Sequence, residues 1–96
     1  MQLLLRPEAA SDIEEACQWY ERQRAGLGGE FLSAVDAKMR DVAAHPTAYQ
    51  VIYRDARRAL LGRFPYAIFY RIYQETIVVV ACMHGRRDPG RWKTRV

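Results

Sequence analysis

Residues 66–73 (Tyr-Ala-Ile-Phe-Tyr-Arg-Ile-Tyr) and 76–83 (Thr-Ile-Val-Val-Val-Ala-Cys-Met) are two runs of mainly β-branched and aromatic side chains, separated by Gln74-Glu75. Such runs on either side of a short polar break predict a β-hairpin, although Gln-Glu is not a dipeptide that favours the left-handed turns hairpins use. The second run is apolar at nearly every position, as expected of a central strand covered on both faces. A two-residue turn opposes Arg71 to Val78 and puts Arg71, Phe69, Val80, Cys82 and His84 on one face. Tyr66, Ile68, Tyr70 and Ile72 then meet Ile77, Val79, Ala81 and Met83 on the other, a dense face suited to lie beneath helices. A three-residue turn would send His84 toward the helices instead. The two-residue register separates polar from apolar better, so His84 is expected to face away from them.

The rest of the chain supplies the helices. Leu3-Leu4-Leu5 reads as a strand within residues 1–6, and Pro7 suits the first position of a helix. Ile13, Ala16, Cys17 and Tyr20 recur at helical spacing, with Asp12, Glu14, Glu15, Glu21 and Arg22 assigned to other faces, which predicts a helix over 7–24. Gly26, Gly28 and Gly29 break it. A second helix is expected over 29–44, burying Phe31, Leu32, Val35, Met39 and Val42, and His45-Pro46 ends it. Residues 46–55 are expected to be a loop, in which Tyr49 and Tyr53 either pack on the domain edge or meet a ligand. A strand is expected over 57–64. The fold class is therefore α+β, in the order β-α-α-β-β-β, with the helical hairpin on one face of a twisted antiparallel sheet.

Ninety-six residues suit a single domain spanning 1–96, and no apolar run reaches the length of a membrane span. Cys17 and Cys82 lack metal-ligand spacing and are expected to be reduced thiols of a cytoplasmic protein, with no metal and no cofactor. Charge is divided unevenly. Up to residue 50 there are five basic and eight acidic side chains (−3), and beyond it ten basic and three acidic (+7). All but one of those ten are arginines, which pair bidentately with phosphate or carboxylate. The basic half points to nucleic acid or an acidic protein as partner.

The order Arg58-x-Leu60, then Phe64-Pro65-Tyr66-x-Ile68-x-Tyr70, an apolar strand and His84-x-Arg86-Arg87-Asp88-Pro89 resembles the RelE/ParE superfamily of bacterial toxins, and more narrowly its ParE-like branch, long labelled plasmid-stabilisation proteins. The resemblance implies the toxin of a type II toxin–antitoxin pair that acts on DNA gyrase and is neutralised by a cognate antitoxin, in a toxin–antitoxin hetero-oligomer. It places target contacts at Arg86, Arg87, Arg91, Trp92 and Arg95, and antitoxin contacts at Arg57, Arg58, Phe69, Arg71 and Val80. The alternative is a RelE-like, metal-independent endoribonuclease acting on mRNA at the ribosome. His84 would then be the proton-transfer group, with Arg58, Arg63, Arg71 or Arg87 stabilising phosphorane charge. That branch uses strand lysines, a late tyrosine or a sheet glutamate. Here the lysines are Lys38 and Lys93, no acid lies between Asp55 and Glu75, and no tyrosine follows Tyr73. His84 also reads as a strand-end residue bonding the returning 85–92 segment, Arg86 and Arg87 as a solvated turn, Asp88 as a turn start able to pair with Arg58 or Arg91, and Trp92 as a plug for the tail. Phe69, Val78, Val80 and Cys82, facing away from the helices, need cover from an antitoxin segment or from the chain's own tail.

Overall fold

The computed structural model describes residues 1–86 and 89–96. Its elements are β1 (Gln2–Leu5), α1 (Pro7–Gln23), α2 (Leu27–Ala44), β2 (Val51–Tyr53), β3 (Ala56–Leu60), β4 (Tyr66–Tyr73), β5 (Thr76–His84) and a short α3 (Pro89–Lys93). The five strands form one sheet in the order β1-β5-β4-β3-β2. The α+β class and the helical hairpin are as the sequence predicts. The sheet is mixed, however, because β1 joins the edge of β5 in parallel, with Leu3 opposite Ile77 and Leu5 opposite Val79. The expected 46–55 loop also contains β2, which pairs with β3 across a turn whose Arg54 has φ 52°.

Pro7 starts α1 at its first position, with Arg6 held extended before it. The buried stripe of α1 is Ala9, Asp12, Ile13, Ala16 and Tyr20, so Asp12 lies inside the apolar face and not on a solvent face. Its spacing explains this: three residues after Ala9 and four before Ala16 is the same side of a helix. Gly26, with φ 90°, opens α2 and carries no capping side chain. The cap comes from α1, where the Glu21 carboxylate accepts the Gly26 and Gly28 N–H groups at 3.0 Å each. A β-carbon at Gly28 would sit 2.7 Å from the Cys17 carbonyl oxygen, so only glycine lets the helices approach this closely here. On α2 Phe31, Val35 and Val42 are buried, whereas Leu32, expected in the core, is 44% exposed on its flank.

Tyr20 and Phe31 from the helices meet Phe64, in the connection between β3 and β4, and Tyr66 at the start of β4, with ring centroids 4.9–5.9 Å apart. This aromatic group joins the hairpin to one end of the sheet, and Ile68, Tyr70, Ile77 and Val79 continue the core toward the other. Tyr70 is fully buried, and its hydroxyl donates to the Pro46 carbonyl at 2.6 Å, fixing the segment that leaves α2.

The turn at Gln74-Glu75 has the two-residue register expected, with Arg71 opposite Val78. Both turn residues have positive φ, 48° and 64°, which lets an unfavourable dipeptide follow the twist of the strands. The register then changes. Tyr70 opposes Val79 but Phe69 opposes Ala81, so Val80 is an extra residue in β5. Such a bulge reverses the alternation beyond it. Val80, Ala81 and Met83 lie on the face away from the helices, and Cys82 lies on the helical face. The expectation that Ala81 and Met83 face the helices, and that Cys82 and His84 face away, is corrected by this one residue.

Tyr70→Ala is expected to cost about 3–5 kcal/mol and Tyr70→Phe about 1 kcal/mol, both read from urea melts. The double change Gln74→Asn, Glu75→Gly, which supplies residues at ease with positive φ, is expected to stabilise by about 1–2 kcal/mol in the same assay.

Candidate target-binding surface

The end of β5 extends past the end of β1, where Arg6 N–H donates to the Val79 carbonyl as the last parallel link. Beyond that point α1 and the C-terminal tail take over from the missing strand. The Asp12 carboxylate accepts the Cys82 N–H at 3.0 Å, and the Arg95 guanidinium donates to the Val80 carbonyl at 3.0 Å. Arg95 also forms a two-pronged pair with Asp12, at 2.7 and 3.3 Å. Backbone groups displaced by the bulge are thus bonded by two side chains that neutralise each other, as buried polar groups require. Asp12 is only 7% exposed.

The same anchor brings α3 against the sheet. Trp92, 5% exposed, stacks on Phe69 with centroids 4.4 Å apart and rings 15° from parallel, and Tyr53 meets its edge at 5.9 Å. The cover expected for the non-helical face is therefore supplied by the chain's own tail, over Phe69, Val80, Ala81 and Met83. Of the residues the sequence assigns to target contact, Trp92 and Arg95 are here internal links, while Arg86 and Arg91 are exposed. Arg87 and Asp88 lie outside the described residues.

The other arginines separate by partner. Arg57 donates to the Thr47 and Tyr49 carbonyls at 3.2 and 2.6 Å, clamping the loop before β2. Arg63 and Arg24 share the Glu30 carboxylate, and the hydrogen bond from Arg63, then that from Arg24, hold the Glu30 carboxyl below its ordinary range. Arg71 forks onto Asp55 at 3.0 Å through two nitrogens, which lowers the Asp55 carboxyl likewise. Both carboxylates therefore favour the fold above their unfolded pKa, and that contribution is lost as pH falls through the depressed folded values. The side chains of Arg58, Arg86 and Arg91 have no acidic partner among the described residues.

His84 closes β5 opposite Tyr66, ring centroids 6.0 Å apart. Its Nδ1 accepts the Arg86 N–H at 3.2 Å, so the neutral imidazole carries its proton on Nε2. This is the strand-end role, a bond to the returning segment. His84 also stands between two clefts. The smaller, about 270 Å³, is shared with Arg58 and Arg86. The larger, about 460 Å³, lies toward α1 and includes Glu15, Trp19, Arg22, Tyr66 and Arg91. Trp19 and Arg22 were not singled out from the sequence. The available signal was a tryptophan on the polar side of an amphipathic helix, where it is 49% exposed. Cys82 borders this larger cleft, but burial, and then the Asp12 charge, push its thiol up to about 12, leaving it protonated and unreactive near neutrality.

The structure thus brings His84, Arg58 and Arg86 together, and keeps Arg63 with Glu30 and Arg71 with Asp55. Among the described residues no group of histidine, cysteine and carboxylate side chains could hold a metal ion, and no helix is long and apolar enough to cross a membrane. Asp12→Ala, which leaves Arg95 without its counter-charge and Cys82 N–H without an acceptor, is expected to destabilise by about 3–5 kcal/mol. Limited proteolysis should cut the C-terminal tail of that variant faster than that of the unaltered protein.

Residues 3–89 match the family described as ParE toxin of type II toxin-antitoxin system, parDE. Among solved structures, a chain of a chromosomal ParDE TA system from P. aeruginosa is similar, with a TM-score of 0.69 at 20% identity over 88% of this chain and 95% of that one. No curated protein sequence matches the chain.

Proposed function

The chain belongs to the ParE toxin family of type II toxin–antitoxin systems, and from that premise we propose that it inhibits DNA gyrase and is neutralised by a cognate antitoxin. The observation that supports a binding role is the cation arrangement at the end of β5. Arg86 and Arg91 are exposed, flank His84 in space, and have no acidic partner among the described residues. Charges left in that state favour an acidic surface on another macromolecule. A catalytic reading needs a proton donor and a proton acceptor. In the cleft that holds Arg58 and Arg86, His84 is the lining residue whose side chain is of the general acid–base type.

The antitoxin contacts proposed from the sequence acquire a condition. Phe69 and Val80 lie beneath the tail, so an antitoxin segment that touches them must displace Trp92. Arg57 and Arg71 have internal partners, which leaves Arg58 as the member of that set with no acidic partner among the described residues. A ribosome-dependent ribonuclease is the second reading, favoured by the presence of His84 in one cleft with Arg58 and Arg86.

Induced expression separates the two. Under gyrase inhibition His84→Gln keeps most growth arrest, whereas Arg86→Ala with Arg91→Ala weakens target binding by about 2–4 kcal/mol, seen as restored supercoiling by purified gyrase. Specific cuts in ribosome-bound mRNA that vanish with His84→Gln would overturn the gyrase assignment. Rising salt should loosen the antitoxin complex only in part, because apolar burial persists once charge is screened. Complete dissociation at moderate salt would contradict an apolar contribution.

A further inference from the structure

Among the described residues, no acidic side chain lines the smaller cleft beside His84. Arg58 enters it from β3 and Arg86 from the turn after β5, and neither side chain has an acidic partner among the described residues. A guanidinium cannot relieve that repulsion by losing its proton. His84, with Nδ1 taken by the Arg86 backbone, has Nε2 left as a third donor. The remaining walls include Leu60, Phe64 and Pro65. Apolar walls weaken the competition of water and strengthen any ionic bond made between them.

The donor set distinguishes between anions. A carboxylate is planar and is satisfied by a single guanidinium fork. A phosphodiester is tetrahedral, and its two non-bridging oxygens accept donors arriving from several directions. Three donors from three chain positions suit the second better than the first. Leu60 on the rim is 53% exposed, an apolar patch against which a sugar or an unstacked base can rest. A recess of about 270 Å³ admits a phosphate from a flexible single strand more readily than one held on a duplex ridge.

We propose that this cleft is a phosphodiester subsite, at which Arg58, Arg86 and His84 hold the backbone of a single-stranded nucleic acid without cleaving it. The subsite goes beyond the gyrase assignment and does not depend on it.

Fluorescence anisotropy with a short labelled single-stranded oligonucleotide, across a salt series, tests the proposal. An acidic peptide of equal charge serves as the competing probe. The unaltered protein should bind the oligonucleotide more tightly than the peptide. Arg58→Ala with Arg86→Ala should weaken oligonucleotide binding about tenfold or more and flatten log K against log salt by about 1.4, for two phosphate charges on a single strand. Arg40→Ala, an exposed charge on α2, should change binding less than about twofold. Tighter binding of the acidic peptide by the unaltered protein would overturn the proposal even if the double variant failed to fold. A folded double variant no weaker than Arg40→Ala would also overturn it. Neither gyrase nor ribosome is present, so failure here is separate from failure of the target assignment.

Discussion

The paired charges of Asp12 and Arg95 are the constraint on which the functional end of this protein depends. They come from the first helix and from the penultimate residue, and they meet at the bulge in β5. An unpaired carboxylate at that depth would be costly, and so would the displaced Cys82 N–H and Val80 carbonyl left without partners. Each of the four groups answers another. The result ties α1, the central strand and the tail into one piece at the place where β1 no longer covers β5.

The bulge and the pair have opposite effects on the two faces of the sheet. Turning Val80 and Ala81 outward together builds an apolar patch around Phe69, and the tail held by Arg95 lays Trp92 over it. Turning Cys82 inward completes the helical-side core, and His84 is left at the rim between two clefts. A strand with unbroken alternation would have put His84 on the tail side, away from Glu15 and Trp19 of α1. The protein's one histidine in the basic half is placed by a single inserted residue.

Net charge alone says little about which cations face a partner. Arg57, Arg63, Arg71 and Arg95 are all bonded within the fold, to carbonyls or to carboxylates of other elements. These pairings connect the hairpin, the strands and the tail. Arg58, Arg86 and Arg91 remain at one end of the sheet, beside His84. A sheet that presents guanidiniums with no acidic partner among the described residues needs little further ordering of those elements when it meets an acidic surface.

The sequence by itself determined the hairpin, the helical hairpin and the core position of Tyr70. Each rests on local periodicity, which propensity and side-chain spacing set within one or two turns of chain. The family motif from Arg58 to Pro89 and the basic character of the second half were also legible, as both are properties of residue order. Tertiary structure alone decided the bulge at Val80, and with it the side on which Cys82 and His84 lie. A bulge is stabilised by what bonds its displaced backbone groups, and here those partners are 68 residues before Val80 and 15 after it, at Asp12 and Arg95. The burial of Asp12, the exposure of Leu32, the parallel seat of β1 and the stack of Trp92 on Phe69 were decided in the same way. Each depends on which distant element fills a given space, and no local pattern encodes that.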